Sequence, residues 1–178
     1  NSDLKVVACG NESCSATSTI YFPESSLFTD DFSFSILDEG TFQNTSLAIG
    51  ANGYPVISYY DSINDDLKVT ACGNATCSSG NTITTVDSDG DIGELNKIAI
   101  GTNGYPVVSY FDDTNYDLKV VACGNATCSS GNTITTVESS GDVGSWSSIA
   151  IGSNGYPVIS HSYYSSSDLY VTACGNVS

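Results

Sequence analysis

The stretch "NGYPVVSYFDDTNYDLKVVACGNATC", Asn103–Cys128, has a near twin in "NGYPVISYYDSINDDLKVTACGNATC", Asn52–Cys77, 51 residues earlier. "NGYPV" returns once more at Asn154, and Cys72, Cys123 and Cys174 keep the same spacing of 51. The interval from Cys9 to Cys72 is longer than the two that follow it. The end of the chain, "SSDLYVTACGNVS", aligns without gaps on its beginning, "NSDLKVVACGNES". A fixed period of this length marks a repeat architecture.

One period reads as four short strands. "KIAIG" leads into an Asn-Gly turn, and Asn-Gly between two apolar runs predicts a hairpin with both residues at positive φ. "PVVSYF" follows, opened by Pro106 where a missing N–H is tolerated. "DLKVVAC" alternates, and "NTITTVE" is threonine-rich. The apolar content falls from the first two strands to the last, as in a sheet with one protected and one wet edge. Asp3, Asp66, Asp117 and Asp168 recur before the third strand and read as turn residues. The expected fold class is all-β: 51-residue repeats of four antiparallel strands, about three repeats plus an overhang, forming β-propeller-like blades in a partial or open array. The boundaries fall at 1–37, a partial first repeat with an aromatic insertion, then 38–88, 89–139 and 140–178, the last a partial repeat. Both ends fall at the same phase of the repeat, so the chain is expected to be a processed product or part of a longer array.

The repeat core IAIGxNGYPVxSYxD…DLKVxACGNxTC resembles propeller-type repeats of secreted, largely uncharacterised proteins. The resemblance covers nearly the whole chain except the insertion. It implies blades and an extracellular setting, and no shared activity, since propellers host many functions.

Composition excludes several classes. The chain has 178 residues with 20 acidic side chains, four of Lys and Arg together and one His, a formal net charge of −16. Nucleic-acid binding needs clustered Lys and Arg. No apolar run is long enough to insert in a membrane as a helix.

Three Cys-x4-Cys pairs, Cys9/Cys14, Cys72/Cys77 and Cys123/Cys128, fit local disulfides across the turn from third to fourth strand. Cys174 is the unpaired seventh, or one with an intermolecular partner. Zinc is the weaker reading, because its sites favour closer spacing and four ligands. Disulfides predict an oxidising compartment, hence a secreted, extracellular or cell-surface protein. Each clasp carries an Asn-x-Ser/Thr acceptor at Asn11, Asn74, Asn125 and Asn176, and Asn44 adds a fifth outside the pattern. N-linked glycans are expected there, although Asn is also a favoured turn residue. No other cofactor is expected. "DSDGDIGE", Asp87–Glu94, resembles a calcium loop without the full ligand spacing, so calcium stays a minor alternative to a solvated acidic loop.

No catalytic residue stands out. His161 replaces a tyrosine of its column, and a single histidine of this kind makes a poor catalytic case. Tyr59 and Tyr110, near the end of the second strand, read as packing between repeats or as a platform for sugars. Trp146 sits in a column shared with Asn44 and Leu95 and is a contact candidate. Phe28 and Phe32, in the long first interval, cover the first repeat or join protomers. The reading is a non-enzymatic secreted glycoprotein forming an extracellular filament or surface layer by head-to-tail strand complementation. Its partner is itself, or further repeats of a longer chain. A carbohydrate-binding propeller lectin is the alternative, and a glycoside-active enzyme comes third.

Overall fold

The computed structural model describes residues 4–9, 32–163, 166 and 168–175. Asn11, Cys14, Phe28 and Asn176, and with Cys14 the Cys9/Cys14 pair, lie outside the described residues. Cys9 and Phe32 are placed only as strand positions. The described residues form thirteen β-strands and no α-helix.

Two complete sheets are antiparallel meanders. A two-stranded sheet comes first, β1 (Leu4–Cys9) and β2 (Phe32–Asp38). The first complete sheet holds β3 (Phe42–Ile49), β4 (Pro55–Asp61), β5 (Asp66–Ala71) and β6 (Thr82–Asp87). The second holds β7 (Ile92–Ile100), β8 (Pro106–Asp112), β9 (Asp117–Ala122) and β10 (Thr133–Glu138). A three-stranded sheet follows, β11 (Val143–Ile151), β12 (Pro157–Tyr163) and β13 (Asp168–Ala173). The sheets from β3 onward pack against one another in sequence order, and none closes into a barrel.

Register shows which part of the repeat each partial sheet represents. Leu4 pairs with Asp38, as Leu67 pairs with Asp87 and Leu118 with Glu138, and each pair adjoins a bulge. β1–β2 is therefore the third-and-fourth-strand half of a sheet. β11–β13 is a sheet of first, second and third strands.

The second strands β4 and β8 are buried along their whole length, as their continuous apolar run requires. The first strands are longer than their sequence suggested. Each carries a bulge, between Gln43/Ser46, Glu94/Lys97 and Ser145/Ser148, with Asn44, Leu95 and Trp146 all at positive φ. That break in alternation hides "IGEL" and "VGSW" from a period-two reading. The Asn-Gly turns also differ from expectation. Only the glycine takes positive φ, +81° at Gly53, while the Asn52 side chain accepts the Tyr54 N–H at 3.0 Å. Asn103 and Asn154 repeat this contact. The carboxamide holds the turn, so the asparagine backbone need not enter the left-handed region.

Candidate functional site

The clasp is the most elaborate local structure. Cys72–Cys77 and Cys123–Cys128 are disulfides with Cα–Cα separations of 4.8 Å. Asn74 organises the ring. Its Oδ1 accepts N–H bonds from Thr76 and Ser78, and its Nδ2 donates to Ser78 Oγ and Ser79 Oγ. Asn125 does the same with Thr127, Ser129 and Ser130. Asn81 and Asn132 bracket the other side, accepting from Gly73 and Gly124 and donating to the Cys77 and Cys128 carbonyls. A Cβ on Gly73 or Gly124 would lie within 2.5 Å of the carbonyl oxygens at the base of the loop. The sequence "CGNxTC" thus has a structural account in the turn itself. Asn125→Ala is expected to cost about 1–2 kcal/mol, from the backbone donors it strands, even in protein made without N-glycosylation. Thermal unfolding of the unglycosylated pair checks this; equal midpoints would remove the structural role.

The sheets are tied by contacts that recur once per repeat. Tyr59 Oη donates to Asp38 of the preceding sheet at 3.1 Å, and Tyr110 Oη to Asp87 at 2.7 Å. Burial, and the carboxylate beside each, raises both phenols above the ordinary tyrosine range. In the last sheet His161 takes the tyrosine's place, with Nε2 3.1 Å from Thr172 Oγ1 and 3.9 Å from Glu138. Its Nδ1 is buried without a hydrogen-bond partner among the described residues. Ser35 and Thr84 hydroxyls donate to the clasp carbonyls of Thr76 and Thr127 in the following sheet. At the bulges, Asn96 donates to the Asn44 carbonyl and accepts from Ser58 at 2.6 Å, and Ser147 repeats this toward Leu95 and Ser109. Tyr59 and Tyr110 are therefore buried inter-sheet ties and offer no ring face to a sugar. Trp146, by contrast, is 75% exposed, and no aromatic side chain of the described residues stacks on it. Asn44 sits at the β3 bulge and is half-buried.

The turn carboxylates are not those expected. Asp61 and Asp112, not Asp66 and Asp117, accept the turn N–H bonds, from Ile63 and Asn115. The same carboxylates hold Lys68 and Lys119 in ion pairs of 2.8 Å. In the last sheet both partners change together: Tyr163 and Tyr170 occupy these places with ring centroids 5.8 Å apart.

Burial alone would raise Asp61 and Asp112, but the lysine ammonium, the Asn64 or Asn115 amide and a backbone N–H outweigh it and hold both below the usual aspartate range. Burial and neighbouring acids push Asp66, Glu94, Asp113 and Asp117 the other way. The signs give a two-part pH profile. Raised carboxylates disfavour the folded state when ionised, so stability increases as pH falls from neutral through their folded values. Depressed carboxylates stabilise above their unfolded value of about 3.9, and that contribution is lost as pH falls through their lower folded values. Urea midpoints are expected to peak on the acid side of neutrality and then drop below about pH 4; a midpoint that falls steadily from neutral pH downward would contradict this.

Among the described residues no group of three or more His, Cys, Asp or Glu is arranged to hold a metal ion, and Cys174 has no disulfide partner there. The two disulfides mark an oxidising environment. A cleft of about 310 Å³ opens between Thr133, Thr135 and Thr136 of β10 and Thr172, Ala173 and Cys174 at the end of β13. In the two complete sheets the clasp's second cysteine, Cys77 or Cys128, is buried.

Fold and site define a class: an all-β repeat protein of antiparallel four-stranded sheets, clasped by disulfides and pinned face to face by polar contacts. Compared with protein-family models and with curated proteins, the chain matches none of them.

Proposed function

We propose that the protein is a non-catalytic, secreted glycoprotein of propeller-like blades that builds an extracellular structural assembly, a filament or surface layer. Its units join head to tail, each completing the partial sheets of the next. Differences in burial between equivalent residues support this reading. Leu67 and Leu118 are fully buried between sheets, whereas Leu169, at the same place in the last sheet, is 78% exposed. Val171 is 65% exposed where Val69 and Val120 are buried. Covering such side chains is worth about 1.5–3 kcal/mol each. A heterologous contact of this kind closes a ring or runs on as a filament. Light scattering after size exclusion, followed by electron microscopy, tests it. Particles of several 18.5 kDa chains are expected; a monomer at every concentration up to the millimolar range would refute the assembly.

A second reading, carbohydrate binding, draws on the open ring of Trp146. A glycan array binds the wild-type protein and not Trp146→Ala under this reading, and no binding by either sets it aside.

A further inference from the structure

We infer that sugar transfer to Asn74 and Asn125 competes with closure of the disulfide clasp around each, so that the redox state of the compartment sets how fully they are glycosylated. This rests on the glycoprotein reading and adds its regulation.

Each acceptor lies wholly inside a disulfide ring. Asn74-Ala75-Thr76 falls between Cys72 and Cys77, and Asn125-Ala126-Thr127 between Cys123 and Cys128. The oxidised ring holds its two Cα atoms 4.8 Å apart. The same five residue steps drawn out straight would span about 17 Å. Inside the ring the turn is tighter still. The Cys77 N–H donates to the Asn74 carbonyl at 3.1 Å, and the Cys128 N–H to the Asn125 carbonyl at 3.2 Å. Cys77 and Cys128 both sit at φ +53°. Hydroxyls of the preceding sheet, Ser35 and Thr84, hold the Thr76 and Thr127 carbonyls. A transferase that must draw the acceptor out as an open chain finds no slack in the closed clasp.

The reacting group is engaged as well. N-glycosylation joins the asparagine Nδ2 to the anomeric carbon of a sugar; the nitrogen loses one proton, and the lipid pyrophosphate that carried the sugar leaves. In the closed clasp Asn74 Nδ2 donates to the Ser78 hydroxyl at 3.1 Å and to the Ser79 hydroxyl at 3.0 Å. Oδ1 accepts from the Thr76 and Ser78 N–H groups and from the Thr76 hydroxyl. Asn125 is held in the same way by Thr127, Ser129 and Ser130. A sugar would replace one Nδ2 hydrogen and remove one of these donations.

The open, reduced chain carries none of these restraints. Closure passes two protons and two electrons from the thiols to a disulfide oxidant of the compartment, on a scale of seconds to hours. The order matters in one direction only. Ala75, Ser78 and Ser79 are exposed, so a sugar already in place has solvent to occupy when the ring closes afterwards. A ring that closes first shuts the acceptor away. Asn44 supplies an internal reference, because its acceptor lies in β3, which contains no cysteine.

The test expresses the chain through the secretory route of a glycosylating host cell and collects both cell and medium. Occupancy is read by peptide mapping after enzymatic removal of sugar in heavy-oxygen water, which marks each asparagine that carried one. Wild-type protein is expected to be partly occupied at Asn74 and Asn125. In the double variant Cys72→Ser/Cys77→Ser the bare fraction at Asn74 should fall several-fold, while Asn125 and Asn44 keep their wild-type occupancy. Dithiothreitol given to cells making the wild-type protein should lower the bare fraction at both clasps, which frees the answer from the folding of any variant. Equal occupancy of Asn74 in wild type and double variant would overturn the competition, and sugar found there would leave the glycoprotein reading standing. A change at Asn125 as large as that at Asn74 in the double variant would also overturn it, because slower folding of the whole chain would then account for both. No sugar at any site in any arm would overturn both readings.

Discussion

Gly144→Ala unfolds at a much lower urea concentration than the wild-type protein, with a loss of about 3–6 kcal/mol from backbone strain and overpacking together. Gly144 has φ +95°, and a Cβ there would lie 2.8 Å from Leu118 Cα in the sheet before it. Gly93 repeats this against Leu67 at φ +106°. The obstacle is backbone and cannot rotate away, so the two sheets must separate to admit one methyl group. Separation uncovers Leu118, Val120 and Val143, which are buried in one cluster. Gly53→Ala isolates the conformational part of the effect. It has φ +81° with nothing of the described residues within 4 Å, so it carries strain alone, about 1–3 kcal/mol. Urea denaturation of the three proteins decides the matter. Equal losses for Gly144→Ala and Gly53→Ala would mean that close approach of the sheets contributes nothing.

These glycines also show where a sequence reading runs out. "GYPVVSYF" announces a buried strand by composition, and "DLKVVAC" announces alternation, because each signal is local. Gly93 and Gly144 look like loop punctuation, since what they accommodate is the backbone of a leucine in the preceding sheet, Leu67 or Leu118. The disulfide clasp was legible from Cys-x4-Cys, but the role of Asn74 inside it was not. An Asn-x-Thr acceptor and an Asn-centred turn are written with the same letters. Asp61 is hard to tell from Asp66 in sequence because "DSINDD" offers several side chains able to cap one turn, and only geometry chooses among them. Asp61 and Lys68 recur as Asp112 and Lys119 and become Tyr163 and Tyr170 together. Paired replacement at two columns points to contact, and the structure places each pair side by side.

The polar contacts between sheets have a further consequence for specificity. An apolar face alone would let one sheet slide on another. The tyrosine-to-acid tie, the serine or asparagine at the bulge and the hydroxyl-to-clasp bond each demand one register, and they recur from one sheet junction to the next. Any other seating of one sheet on the next would leave Tyr, Asn and Ser groups buried without partners.

Asp112→Ala is the second large loss expected, about 3–5 kcal/mol, the usual cost of removing one partner of a buried ion pair. Asp112 is fully buried, accepts from Lys119 Nζ at 2.8 Å, and caps the turn through Asn115. Its removal strands the Lys119 ammonium, which is mostly covered. The informative experiment is the cycle with Lys119→Met. If the stranded charge dominates, adding Lys119→Met to Asp112→Ala returns part of the loss, because an apolar side chain of similar length no longer needs a counter-charge. What is not returned measures the turn contacts to Asn115. The last sheet already presents an uncharged answer at this place, with Tyr163 beside Tyr170, so the fold does not require the ion pair as such. Additive losses in the double variant would show instead that Lys119 contributes independently of Asp112, through the stem it packs against its neighbours, and that the pairing seen across both columns carries little of the stability.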